Sequence, residues 1–250
     1  MTGDGSVYQQ IGQTYSATRR QDPRIAAQIN AAIGDAASVV NVGAGTGNYE
    51  PVDRLVVAVE PSPTMVAQRQ DRSTRVVRAA AEALPLADGA FDTALAVLTI
   101  HHWADVHRGL AELRRVAGRQ VVFFCESFVT HQFWAIEYFP EATSLTSERD
   151  VPGEIVLRAA LDVREIRPVM VPRDCVDGFG AAFWCRPEAY TDPTVQAGMS
   201  WLALLPDEAR VRGSQRLAAD LASGEWERRH GHLRELDEFD GGYRIAIAGD

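Results

Sequence analysis

The chain predicts an α/β protein built on a doubly wound, mainly parallel sheet with a helical lid and insert. Three observations predict it. Short β-branched runs alternate with helical patterns through the first half of the chain, which is the layout of βαβ units. The runs VVNV, LVVAV, ALAVL and VVFF are nearly continuous in apolar character, as expected when helices cover both faces of a sheet. A glycine-rich turn follows the first run directly, at the strand end where open α/β sheets bind ligands.

The elements follow in order. Tyr8, Ile11 and Tyr15 stand at i, i+3 and i+7, one face of an N-terminal helix. The next helix is expected over 22–34, with Asp22 as its cap, Pro23 at its first position and Gly34 closing it. Strands are expected over 38–42, 55–60, 75–78, 92–99 and 120–125, with two more near 163–171 and 243–248. Helices are expected over 62–70 and 105–116. The second places Val106, Leu110, Leu113 and Val116 on one face. Seven residues separate Gly47 from Leu55, short for a crossover helix, which needs about a dozen. One or two helical turns are expected there. After Cys125 the pattern changes: 11 of the 20 aromatic residues fall between Phe123 and Tyr190. The whole of 1–250 is expected to be one domain, with 1–24 as a lid and 126–205 as a helical insert.

Composition excludes several functions. The net charge is −9 and no basic run exceeds two residues, which argues against non-specific nucleic-acid binding through counterion release. No segment approaches the roughly 18 apolar residues of a membrane span. The first residues, MTGDGSVYQQ, lack the pattern of a secretory signal. The three cysteines, Cys125, Cys175 and Cys185, match no metal motif and form no closed disulfide set. A cytoplasmic location with free thiols is the expectation. All 25 basic residues are arginine. The absence of lysine removes Schiff-base chemistry, pyridoxal-phosphate anchoring and the P-loop lysine together.

The turn Gly43-Ala44-Gly45-Thr46-Gly47 allows positive φ and lets a ligand approach bare backbone. The second strand ends in Glu60-Pro61, and Glu60 lies 17 positions after Gly43. A carboxylate there can accept from both hydroxyls of an adenosine ribose, and it disfavours a 2′-phosphate. Asn48 and Glu50 stand where a G-x-G-x-x-G dinucleotide fingerprint, counted from Gly43 or from Gly45, needs glycine. An NAD-linked oxidoreductase therefore ranks second.

Together VVNVGAGTG, VAVEPS and AEALPLADGAFDTALAVLTIHHW resemble the class I S-adenosylmethionine-dependent methyltransferases, in the small-molecule branch similar to quinone-biosynthesis C-methyltransferases. The resemblance implies a Rossmann-like, seven-stranded sheet whose last strand inserts antiparallel. It implies S-adenosylmethionine as cofactor and in-line methyl transfer to a small molecule with apolar or aromatic character. By that likeness Gly43, Ala44, Gly45 and Gly47 pass under the cofactor, Glu60 holds the ribose, and Pro61 or Ser62 borders the adenine. Ala81 and Glu82 cradle the adenine edge, and Leu98 and Thr99 line the sulfonium region. Tyr15 with Arg19 or Arg20 meets the methionine carboxylate. Two positions depart from the family: Asn41 replaces a common acid, and Ala80 replaces a common aspartate.

His101 and His102 follow the fourth strand and suit a general base. The alternative, that both only shape the loop, stays open, as does a cofactor-binding protein that is non-catalytic or does not methylate. Glu126 and His131 are weaker candidates at the same edge. Phe128, Phe133, Trp134, Tyr138, Phe139, Phe179, Phe183 and Trp184 are candidates for the acceptor pocket, of which a minority is expected to touch substrate. His230-Gly231-His232 reads as a solvated turn rather than a metal site.

Overall fold

In the computed structural model the described residues are 18–126, 133–145, 148 and 150–250. Seven of their strands form one sheet: β1 (Ser38–Val42), β2 (Leu55–Val59), β3 (Arg75–Val77), β4 (Phe91–Val97), β5 (Ala117–Cys125), β6 (Val163–Pro168) and β9 (Tyr243–Gly249). A two-residue pair, β7 (Val171–Pro172) and β8 (Glu238–Phe239), makes a separate ribbon. The sheet order is β3-β2-β1-β4-β5-β9-β6. Neighbours from β3 to β5 run parallel, and β9 lies antiparallel between β5 and β6. This is the expected architecture, including the inserted last strand. Strand order reverses between β1 and β4, and open α/β sheets bind ligands beyond the carboxyl ends at such a switch point.

Helix α1 (Pro23–Ile33) starts where the sequence places it. The Asp22 carboxylate accepts from the Arg24 N–H at 3.0 Å, and Gly34 closes the helix at φ +69°. Ile25, Ile29, Ala32 and Ile33 share one fully buried face. Each isoleucine buried there contributes about 1.5–3 kcal/mol. The two short helices on the sheet's other connections are α2 (Pro63–Ala67), capped by Ser62, and α3 (Val106–Val116), capped by Asp105. Helix α3 buries Leu110, Leu113 and Val116 with Val40, Val42, Ala94 and Val122. The opposite face of the sheet packs α1 together with the aromatic insert.

Three expectations are corrected. Residues 48–54 carry no helical turn: Pro51 interrupts the segment and Tyr49 sits at φ +65°, both incompatible with a helix. Helix α2 stops at Ala67, before the predicted residue 70. The span 163–171 divides at Pro168, where the chain leaves the sheet for the β7–β8 ribbon.

Beyond β5 lie α4 (Glu154–Ala160), α5 (Pro193–Ala197), α6 (Ser200–Ala203), α7 (Asp207–Ser223) and α8 (Glu225–His230). Helix α4 buries Leu157 in the layer of α3, while α6, α7 and α8 line the aromatic part of the core that α1 shares. Trp134 lies with its ring centre 5.3 Å from those of Tyr190 and Trp226, both edge-on, and Trp184 stacks on Phe239. Phe133, Tyr138, Phe139 and Phe179 are buried in the same core, and Phe183 is half-buried. Phe128 lies outside the described residues.

Gly213, inside α7, tests this packing. Alanine is normally favoured over glycine in a helix by about 1 kcal/mol. A Cβ at Gly213, however, falls 2.3 Å from the Phe139 ring and 2.7 Å from the Tyr138 carbonyl. Overpacking costs about 1–3 kcal/mol. Gly213→Ala should therefore lower stability by about 2 kcal/mol, a fall of roughly 4–8 °C in Tm for a chain this size. An equal or higher Tm in calorimetry refutes the close contact.

Candidate active site

The site forms at the carboxyl ends of β1, β2 and β4. Gly43, Gly45 and Gly47 sit at φ +70°, +52° and +91°, conformations that cost other residues about 1–2 kcal/mol each. The Gly43 and Ala44 N–H groups both donate to the Val59 carbonyl, at 2.9 and 3.1 Å, and pin the turn to the end of β2. A Cβ at Gly43 would lie 2.1 Å from Thr99 Oγ1. Glycine is thus required there by contact as well as by conformation. Thr99 is buried, and Leu98 before it holds φ +46°, a strained value of the kind found at ligand sites.

Glu60 is 6% exposed. Its Oε2 accepts from the Gly45 N–H and its Oε1 from the Ser62 N–H, each at 2.8 Å. A carboxylate offers about four acceptor positions, so about two face onward. Burial pushes this carboxyl above the usual range, against the pull of both N–H groups and of Arg69. Ala81 is buried in the apolar layer, and Glu82 Oε1 accepts from the Asp105 N–H at 3.1 Å, tying the loop after β3 to α3. Pro61 is exposed.

His101 and His102 occupy a single 3₁₀ turn, with the His102 N–H donating to the Thr99 carbonyl at 2.8 Å. Their ring centres are 3.8 Å apart. Burial pushes His101 down to about 4, and the positive charge of Arg19 adds to it. His102 is pushed well down by burial, by His101 and by Arg19. Both imidazoles are therefore neutral at physiological pH, and each has one unprotonated ring nitrogen.

Tyr15 lies outside the described residues, and Arg20 is exposed. Arg19 turns inward: its side chain is 9% exposed, and Nε donates to Asp177 Oδ1 at 2.7 Å. Asp177, fully buried, also accepts from the Tyr49 hydroxyl at 2.8 Å and the Gly178 N–H at 2.7 Å. The Tyr49 N–H donates to Gln21 Oε1 at 3.1 Å, and Asp22 Oδ2 accepts from the Val176 N–H at 3.2 Å. The stretch before α1, the glycine turn and the insert therefore meet at one carboxylate. Sequence reasoning misses this joint, since Tyr49 and Asp177 are 128 positions apart and no motif links them. Glu126, weighed as a base, caps α4 by accepting from the Glu154 N–H at 2.8 Å. His131 lies outside the described residues. His230 packs against Trp134 and Trp226 while His232 is exposed, so only the latter half of the expected solvated turn faces water.

Comparison with known proteins gives the class. A family profile described as a methyltransferase domain matches residues 40–125. A crystal structure described as a methyltransferase from an antibiotic biosynthesis pathway of Anabaena variabilis superposes with a TM-score of 0.84 at 30% identity. It covers 93% of this chain and 99% of that one. A possible histamine N-methyltransferase of Thermotoga maritima (TM-score 0.53, 16% identity, 98% of each chain) shares the fold. So does the [4+2]-cyclase SpnF (TM-score 0.53, 17% identity, 98% of this chain and 93% of that one). The mouse tRNA (carboxymethyluridine(34)-5-O)-methyltransferase is 27% identical over 126 residues, 47% of this chain. The chain spans only 19% of that curated relative's length.

The chain belongs to the class I S-adenosylmethionine-dependent methyltransferases. It is an enzyme of that class, and its cofactor is S-adenosylmethionine.

Gly43→Ala should cost about 2–3 kcal/mol in stability, combining left-handed strain with displacement of Thr99. Adding Thr99→Ala should recover part of that loss. Chemical denaturation of the single and double variants checks this, and strictly additive losses refute the contact.

Proposed function

We propose that the enzyme methylates a small-molecule acceptor with apolar or aromatic character, by in-line displacement at the β1–β4 switch point. One observation carries the proposal: a bare glycine turn, a buried carboxylate with free acceptor positions and two neutral imidazoles converge at that strand-order switch. The residues fit the cofactor. A side chain at Gly43 would collide with Thr99, so only backbone faces the ligand there, and Glu60 has about two acceptor positions for a pair of sugar hydroxyls. The bound cofactor supplies a methyl group activated by a sulfonium. Glu60 orients the sugar, Thr99 and Leu98 shape the wall beside the turn, and of the two arginines considered for the methionine carboxylate Arg19 is the one that turns inward. An unprotonated ring nitrogen of His101 or His102 takes the proton of an acceptor that must lose one. Alignment supplies the larger share of the barrier reduction, on the order of 7–11 kcal/mol.

The acidic net charge and the lack of any basic run favour a small acceptor over a nucleic acid, as does the antibiotic-pathway description of the Anabaena relative. Incubation with methyl-labelled cofactor, against a library of small aromatic acceptors and against bulk tRNA, decides between them. Label is expected in the small-molecule fraction; label in tRNA overturns the proposal.

Two further outcomes are expected. Glu60→Ala should weaken S-adenosylhomocysteine binding roughly 10–100-fold by calorimetry, the loss of charge-assisted hydrogen bonds. Wild-type affinity should also fall as pH drops through the titration of Glu60, at higher pH than an ordinary glutamate, because only the ionised form accepts from both hydroxyls. An unaltered dissociation constant in the variant removes Glu60 from the site. His101→Ala or His102→Ala should lower turnover about 10²–10⁴-fold with product affinity unchanged. The wild-type rate should stay flat through pH 6.5, since His101 titrates near 4. Full turnover in both variants leaves alignment without a histidine base.

A further inference from the structure

Doubly wound sheets commonly follow β1 with a helix whose positive N-terminus faces the ligand, which suits phosphate. Here residues 43–54 form turns and bends without a helix. An arginine from beyond α2 fills the space instead. The Arg69 side chain is 3% exposed and pairs through Nη2 with Glu50 Oε2, itself on a side chain 8% exposed. Arg69 Nη1 donates to the Gly45 carbonyl at 3.4 Å. The guanidinium reaches to 3.0 Å from where a Cβ on Gly47 would stand. Asn41 Nδ2 donates to Glu50 Oε1 at 3.0 Å, so both oxygens of Glu50 are engaged. The amide cannot be turned round, because an ionised carboxylate only accepts.

The charges in contact with the turn or paired there are Glu50, Arg69 and Glu60: two negative and one positive, a net of −1. Arg69 alone would give the turn the positive character of a helix N-terminus. Glu50 cancels it, and Glu60 leaves the balance negative.

We infer that Glu50 is a specificity device: by neutralising the buried Arg69 it leaves the Glu60 charge uncancelled beside the glycine turn, which favours a sulfonium nucleoside over its neutral thioether product. The inference rests on the cofactor placement proposed above. A dinucleotide pyrophosphate is rejected by the same balance. Asn41 contributes by fixing the Glu50 carboxylate rather than by supplying a charge of its own. At the effective dielectric usual near a protein surface, an uncompensated charge beside the turn is worth roughly tenfold in affinity.

The test is calorimetric binding of S-adenosylmethionine and S-adenosylhomocysteine to the full chain and to three variants, with no acceptor present. Glu50→Gln is expected to reduce the preference for S-adenosylmethionine over S-adenosylhomocysteine roughly tenfold. Arg69→Gln is expected to increase it. The double variant Glu50→Gln/Arg69→Gln restores the original net charge, so the preference returns to the wild-type ratio even where both affinities fall. A pair that only props up the turn changes both affinities by one common factor. A constant ratio in all variants, or a shift in the same direction in both singles, overturns the inference. If Glu50→Gln does not fold, Arg69→Gln and the double variant still report the sign. Wild-type protein that binds neither ligand refutes the cofactor placement instead.

Discussion

Four of the seven residues from Gly43 to Tyr49 hold left-handed backbone, and no helix follows to anchor them. That constraint organises this end of the molecule. Left-handed conformations persist only where the surroundings over-determine them. The turn is held from β2 by the Val59 carbonyl and by Glu60, from beyond α2 by Arg69, and from the 18–22 stretch and the insert through Tyr49. Thr99 packs against Gly43 too closely for any side chain to stand there. The ligand edge of the sheet is thus rigid because several separate segments converge on one short piece of backbone.

The sheet was legible because its signal is local. Strand β1 spans the residues predicted, and the caps Asp22 and Gly34 bound α1 as their types suggest. The run 163–171 was harder: Val171 has the composition of a strand, but Pro168 ends its part in the main sheet, and β8 lies too far along the chain to be foreseen as a partner. The turns expected after Gly47 failed for a different reason. Spacing allowed them, but tertiary hydrogen bonds to Tyr49 and Glu50 hold an irregular path instead.

The site was legible in its first layer only. Glycines and an acid at a strand end are local patterns, so Gly43, Gly45 and Glu60 stand out in the sequence. Asp177 and Arg69 do not, since an aspartate in a loop and an arginine after a helix look like surface residues until burial is known. The aromatic insert shows the same limit. Composition marks it as special, yet most of its rings fill a core with one another, because apolar side chains serve a core and a pocket equally well. Which of them face an acceptor depends on packing between segments distant in sequence.

The absence of lysine then acquires a physical meaning. Arg19 is matched by Asp177, Arg24 by Asp22 and Arg69 by Glu50, and each pair includes at least one deeply buried member. A planar guanidinium can bond a carboxylate and a second acceptor at once, which a point ammonium does less well. Removing one partner of such a pair leaves an uncompensated buried charge, so these positions resist single change. Glu60 is different: it bonds backbone N–H groups, and among the described residues it has no carboxylate–guanidinium contact of that kind. Among these carboxylates it alone has only backbone partners among the described residues, and it stands at the strand end proposed to receive the cationic cofactor.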